Sequence, residues 1–329
     1  MNDAPARLEE APEAAHPDWT DPMLAVLTDA RFSDENWIFE RKLDGERVLI
    51  FRDGDRIRLM SRNQKCLNDT YPELVEALLQ QNAKDFVADG EVVAFDGSVT
   101  DFSTLQGRMK IKDPEEARAS DIEVFLYVFD LLHLDGRDLT GLPLRERKAA
   151  LGDALSFCDQ VRYTQHRNAE GEAYYREACE KGWEGVIAKR AEAPYHHGRS
   201  RDWLKFKCEH GQELVIGGFT DPKGSRKGFG ALLVGYYEDG DLRYAGKVGT
   251  GYDDEFLAEF RDELDAHERK TCPFADEVDE QAHWVSPDFV AEIGFTEWTT
   301  HGRLRHPRFL GLRRDKAPED VTRERPEGA

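Results

Sequence analysis

Cysteine is scarce. The 329 residues hold five, at Cys66, Cys158, Cys179, Cys208 and Cys272, and no two are spaced C-x-x-C. The spacing excludes a zinc knuckle and suggests no disulfide framework, so a reducing cytoplasm is expected. No apolar run approaches the roughly 18 residues that span a bilayer, which excludes a membrane role for any helix. The first twenty residues lack a basic stretch and an apolar stretch, so they are not a secretory signal. Their acids (Asp3, Glu9, Glu10, Glu13, Asp18), prolines and alanines predict a disordered acidic tail over residues 1–19. Positive charge is also short: 45 Lys and Arg against 66 Asp and Glu leave a net charge of −21. Phosphate binding is driven by Lys and Arg, so the sum alone argues against nucleic acid.

The distribution argues differently. Residues 251–298 hold 15 acids and three bases, whereas residues 299–316 hold six bases (Arg303, Arg305, Arg308, Arg313, Arg314, Lys316) and one acid. Smaller clusters are Arg199/Arg201/Lys205/Lys207 and Lys223/Arg226/Lys227. An acidic body with local basic patches still binds a polyanion.

Strand signals fill the first part: residues 47–51 and 56–61 flank Asp53-Gly54, a hairpin pair. Residues 86–95 read as a strand interrupted by Asp89-Gly-Glu91, and 124–132 as a buried strand. Residues 71–81 (with Pro72 in the first turn), 144–155 and 169–181 read as helices. Short strands follow at 185–188 and 203–207. Beyond Cys208, strand-like runs at 214–219, 231–237, 242–248 and 289–298, with glycine turns and a helix at 253–269, suggest a small barrel. The boundary falls near 208–212, giving units at 20–209 and 210–329.

The richest segment is Lys42-Leu-Asp-Gly-Glu-Arg47, set between two apolar runs inside residues 37–51. A lysine so placed can be positioned and desolvated, which makes an amine a nucleophile; the plain alternative is an exposed lysine on a hairpin. A lysine that attacks a nucleotide α-phosphate needs a cation, carboxylates to hold it, further bases on the phosphates and a slot for the base. Glu91 and Glu184 are acids beside glycines at strand-like β-branched runs. Such a charge is costly unless it is paired or metal-bound. Lys205 and Lys207 share one face of a strand, which favours an anion between them, and Arg199 stands six residues earlier. Phe129 is a candidate to stack on a base, although an aromatic in an apolar strand is usually core.

In order along the chain these segments resemble the motifs of the covalent nucleotidyltransferases: Lys42–Arg47, Ser61-Arg-Asn63 with Tyr71-Pro-Glu-Leu74, Asp89-Gly-Glu91, Tyr127–Leu131, Glu184–Lys189, Trp203–Lys207 and Arg313-Arg-Asp-Lys316. Pro22-Met-Leu-Ala25, Phe102-Ser-Thr-Leu-Gln106, Leu142-Pro-Leu-Arg-Glu-Arg-Lys148, Gly246-Lys-Val-Gly-Thr-Gly251 and residues 297–313 resemble one branch, the ATP-dependent DNA ligases like the ligase module of bacterial end-joining enzymes.

The resemblance implies an α+β nucleotidyltransferase (ATP-grasp-like) domain with antiparallel sheets and flanking helices, then an all-β OB-fold domain. It implies that Lys42 is the adenylated nucleophile and that Glu40 helps read adenine. Arg47 and Arg62 would contact ribose or phosphate. Glu91 would touch the ribose or hold a metal, Glu184 would hold a metal, and Phe129 would stack on adenine with Ile187 on the opposite face. Arg199, Lys205 and Lys207 would bind phosphates, and Arg313 and Lys316 would swing in to orient pyrophosphate. It further implies ATP with Mg²⁺ or Mn²⁺ as cofactors and nicked or broken duplex DNA as substrate. Repair by end joining, a Ku-type end-binding partner and a monomer that is cytoplasmic and joins the nucleoid on DNA are also implied. Modules that other ligases carry, such as a large DNA-encircling domain, are not matched, so a minimal stand-alone ligase is expected. The alternatives are an RNA ligase or other covalent nucleotidyltransferase, and a non-catalytic scaffold on DNA ends.

Overall fold

The computed structural model describes residues 8–208, 211–222, 224 and 227–325. Lys223 and Arg226 of the predicted basic cluster lie outside the described residues, as does the tail before Leu8. The chain divides into two compact units after Cys208.

The first unit is built on two sheets. One has six strands in the order Val161–Tyr163, Phe125–Leu134, Asp85–Val93, Glu46–Asp53, Arg56–Ser61, with Arg137–Asp138 added to Phe125–Leu134. The other has five, in the order Leu24–Leu27, Arg199–Lys207, Gly185–Arg190, Trp37–Lys42, His166–Asn168. Most pairings are antiparallel. The period-two alternation of each strand sorts its side chains. Phe39, Val186, Ala188 and Phe206 turn to one face of the five-stranded sheet and pack with Tyr174 and Ala178 of the helix Gly171–Glu180. Val48, Ile50, Ala88, Val92, Leu126 and Val128 turn to one face of the six-stranded sheet and form the main core with the helix Pro72–Leu79. The opposite faces of the two sheets meet around Leu49, Val87, Phe129 and Trp203.

Residues 8–19 do not form the expected disordered tail. Leu8–Glu10 makes a 3₁₀ turn and Ala11 is buried against the main core. Asp138 N–H donates to the Pro12 carbonyl at 3.0 Å, and Ala14 N–H to the Gly136 carbonyl at 2.9 Å. Composition alone misjudges such a strap, because its backbone pairs with the free edge of a sheet. The interruption expected within residues 86–95 does not occur. Instead Asp85–Val93 runs on through Asp89 and Gly90 with a register shift between them, and a Cβ on Gly90 would stand 2.7 Å from the Tyr127 carbonyl oxygen. Two short helices, Phe102–Met109 and Pro114–Arg118, escaped the sequence pattern. Asp101 and Asp113 cap them through backbone N–H groups.

The cysteines depart from expectation too. Cys179 and Cys208 form a disulfide across 29 residues, while Cys66, Cys158 and Cys272 are free. Tertiary packing of the helix Gly171–Glu180 beside the strand Arg199–Lys207 brings them together, and no local spacing announces that.

The second unit is an antiparallel sheet in the order Asp241–Val248, Leu232–Glu238, Gly211–Phe219, His283–Gly294, Glu268–Arg269, with Arg308–Leu312 also on His283–Gly294 and register shifts in four of its pairings. The helix Asp254–Ala266, capped by Asp253, supplies Leu257, Phe260 and Leu264 to its core. Asp239 and Gly240, both at positive φ, make the predicted hairpin turn. This is the OB-fold.

Candidate active site

Three strands of the five-stranded sheet set the site. Trp37–Lys42, Gly185–Arg190 and Arg199–Lys207 align Lys42 with Gly185 and Lys207, and, one pleat on, Glu40 with Ile187 and Lys205. Period two therefore puts Glu40, Lys42, Ile187, Lys205 and Lys207 on one face. Gly185 is required in the middle of this row. Its φ is +150°, and a Cβ there would come within 1.9 Å of the Phe206 carbonyl oxygen. Gly45, just past Lys42, is equally constrained: a Cβ would meet the Val92 carbonyl oxygen at 2.2 Å and the Glu91 side chain at 3.0 Å. Asp44 anchors the same turn by accepting from Phe102 N–H at 3.3 Å.

Lys42 Nζ forms an ion pair with Glu184 Oε1, and both side chains are partly buried. Burial lowers the pKa of the Lys42 ammonium, but the Glu184 carboxylate outweighs that together with the repulsion from Lys207, so the net shift is upward. For Glu184 burial pushes upward, and Lys42, Lys207 and Lys205 bring it down below the ordinary value. Three ammonium groups thus converge on one carboxylate. This positive pocket sits inside a protein of charge −21. The other oxygen, Glu184 Oε2, is buried and has no hydrogen-bond partner among the described residues.

The six-stranded sheet faces this row. Arg47, Glu91 and Tyr127 align across its strands. Arg47 donates to both oxygens of Asp89, at 2.5 and 2.6 Å, and to the Met23 carbonyl at 3.1 Å. Tyr195 donates to Asp89 at 2.6 Å and accepts from Met23 N–H at 2.8 Å. The Arg47 guanidinium lies 4.7 Å from the Phe129 ring centre and 5.6 Å from that of Trp203. Burial opposes its charge, yet Asp89 raises its pKa far above the usual arginine value. Arg47 is thus engaged as a strut.

Glu40 is 2% exposed, and its two oxygens accept from Lys148 at 2.6 Å and Lys189 at 2.5 Å. Burial raises the pKa of Glu40, but the two ammonium groups leave it lowered overall. The Lys189 amine also sits 4.1 and 4.0 Å from the Phe129 and Trp203 ring centres, a cation–π cage that offsets part of its burial. Phe129 is 7% exposed.

The predicted residues therefore divide. Lys42, Glu184, Lys205, Lys207, Ile187 and Glu40 are brought together on one sheet face, and Arg47, Glu91 and Phe129 lie on strands of the facing sheet. Arg62 follows the strand Arg56–Ser61, at the turn that holds Gln64 at positive φ. Arg199 opens the strand that carries the lysines: it aligns with Leu24 and Lys205 with Leu27, an irregularity between Ser200 and Leu204 taking up the intervening residues, and its side chain donates to the Ala25 carbonyl at 2.8 Å. Arg313 and Lys316 belong to the second unit. Arg313 donates to both oxygens of Asp315 at 2.9 Å, and Lys316 pairs with Glu213 at 2.9 Å. Sequence reasoning missed Asp89, Lys148, Lys189 and Tyr195. Asp89, Lys148 and Lys189 lie in the segments that carry the family resemblance, and Lys189 also continues the 185/187 alternation.

Fold and site define a class: a nucleotidyltransferase unit followed by an OB-fold unit. Residues 22–207 match the family model of the ATP-dependent DNA ligase domain, and residues 225–316 that of the ATP-dependent DNA ligase C-terminal region. The chain belongs to the ATP-dependent DNA ligases. It is 37% identical over 323 residues to the multifunctional non-homologous end joining protein LigD of Pseudomonas aeruginosa, covering 95% of this chain and 37% of that protein. It is also 37% identical over 314 residues to the corresponding LigD of Mycobacterium tuberculosis, covering 92% and 40%. It spans about two fifths of these relatives. A solved mycobacterial DNA ligase D in complex with ATP and MES is 34% identical, with a TM-score of 0.65 over 93% of this chain and 98% of that one.

Proposed function

We propose that this chain seals nicks or breaks in duplex DNA with ATP, through a lysyl-AMP on Lys42, as part of end-joining repair. One observation carries the reading: Lys42, paired with a half-satisfied buried carboxylate, is lined up with Lys205 and Lys207 on a single sheet face. That arrangement suits a triphosphate, whose charge the three ammonium groups would share.

In the first step Lys42 Nζ bonds to the α-phosphorus and the bond to the pyrophosphate oxygen breaks. The ammonium must first lose a proton, and Glu184 is the carboxylate that touches it. The 5′-phosphate of the break then takes the AMP from Lys42, and the 3′-hydroxyl displaces AMP to form the phosphodiester. Lys205 and Lys207 hold the phosphates. Glu40, fixed by Lys148 and Lys189, keeps lone pairs for the adenine amino group, with Ile187 and Phe129 flanking the base. Arg62 contacts the ribose or a phosphate. Arg47, braced by Asp89, contacts the ribose or a phosphate as well. Arg313 and Lys316 orient the pyrophosphate. The unpartnered Glu184 Oε2, with the Glu91 carboxylate of the facing sheet, fits a hard divalent cation such as Mg²⁺ or Mn²⁺, which when bound would draw charge from the α-phosphate. A Ku-type end-binding protein would bring the enzyme to breaks.

The test is incubation with radiolabelled ATP or GTP, followed by nicked, cohesive and blunt DNA. Label transfer from ATP to protein and then to DNA supports the reading, whereas a preference for GTP would point to capping chemistry.

A further inference from the structure

A second set of ligand-type side chains lies away from Lys42. His16 Nδ1 stands 2.7 Å from Asp85 Oδ1, and His133 Nε2 stands 3.2 Å from Asp85 Oδ2. One ligand atom from each residue falls within 4.8 Å of the others, and among the described residues no other such group of His, Cys, Asp and Glu occurs. The three come from separate elements: His16 from the N-terminal strap, Asp85 from the first position of Asp85–Val93, and His133 from Phe125–Leu134.

We propose that His16, Asp85 and His133 form a binding site for a transition-metal ion of the zinc class, which staples the N-terminal strap to the six-stranded sheet. Two imidazoles and a carboxylate match the donor set that prefers Zn²⁺, Co²⁺ or Ni²⁺ over the oxygen-seeking Mg²⁺. Donors on one tetrahedral ion at about 2.0 Å lie roughly 3.3 Å apart, close to the spacings found. Asp85 carries a charge that no Lys or Arg pairs with among the described residues; its partners are the two imidazoles and Gly136 N–H at 2.8 Å. With both imidazoles neutral, only water and hydrogen bonds offset that charge, whereas a divalent ion neutralises it directly. Gly136 N–H then orients the ligating carboxylate, as outer partners of metal ligands do. His16 Nε2 is buried without a partner, so the imidazole's only polar engagement is through the nitrogen facing Asp85. The strap is already aligned by its hydrogen bonds to Gly136 and Asp138. It continues past Trp19, stacked on Phe51, to Met23, whose carbonyl accepts from Arg47. Binding at His16 would fix the approach to the Arg47 network without touching the nucleotide.

The full chain, stripped with chelator, is titrated with Zn²⁺ by calorimetry and with Co²⁺ by visible absorption, beside His16→Ala and Asp85→Asn. Hydrogen exchange of residues 8–18 is followed in parallel. The proposal expects one equivalent bound, affinity at least about tenfold weaker in His16→Ala, and Zn²⁺-dependent protection of the strap that this variant loses. His16→Ala removes a side chain of the strap and none of the sheet core, so it remains informative should Asp85→Asn fail to fold. Absence of stoichiometric binding, or unchanged affinity in His16→Ala, overturns the proposal.

Discussion

Replacing Asp89 with alanine should destabilise the first unit severely. Asp89 is fully buried and takes both donor arms of Arg47 as well as the Tyr195 hydroxyl. Alanine leaves a largely buried guanidinium with only the Met23 carbonyl and strands the Tyr195 hydroxyl. Breaking one side of a buried ion pair costs about 3–5 kcal/mol, against a total of about 5–15 kcal/mol for a typical domain. Asp89→Asn keeps the volume and one acceptor, so it should cost less, about 2–3 kcal/mol, the worth of a charged hydrogen bond. Urea unfolding reads both, followed by fluorescence of Trp203, which lies 5.6 Å from the Arg47 guanidinium. The paired replacement Arg47→Met with Asp89→Leu should recover much of the loss, because neither charge is then stranded. A loss below about 1 kcal/mol in Asp89→Ala, or no recovery in the double variant, would refute the strut assigned to Arg47.

Other expectations follow from the same geometry. Glu184 holds the Lys42 pKa above its ordinary value, so AMP transfer in the wild type should rise with pH through the neutral range. Glu184→Gln leaves burial dominant and lowers that pKa, so the midpoint of the pH profile should move down although the rate falls; an upward move contradicts the pairing. Reducing Cys179–Cys208 opens a loop of 29 residues, worth about 3–4 kcal/mol by chain entropy, and a urea midpoint unmoved by reductant would contradict it. Arg313→Ala should lose self-adenylation more than sealing of pre-adenylated DNA, and equal loss would refute its role on pyrophosphate.

Much of the site was legible because local periodicity carries it. The alternation 205/207 placed two ammonium groups together, and the position of Glu184 beside a strand marked a carboxylate in need of a partner. What stayed hidden depends on distant partners. Arg47 reads as a nucleotide contact, and the sequence does not show that Asp89, 42 residues on, also takes two of its donors. Glu40 reads as an open carboxylate until Lys148, 108 residues on, reaches it from a helix. Arg199 joined the lysines on charge alone, and in the structure its side chain donates to the Ala25 carbonyl. The strap and the disulfide were missed for one reason: composition describes a segment, and neither a free sheet edge nor a helix packed beside a strand can be read in the segment itself.

The central claim is that Lys42 carries the nucleotide. Intact-mass measurement after incubation with ATP and Mg²⁺, with peptide mapping, tests it directly. One adenylyl group per chain is expected, on Lys42, and none on a folded Lys42→Ala protein. No mass gain in the wild type, or an adenylyl group on another residue, would contradict it.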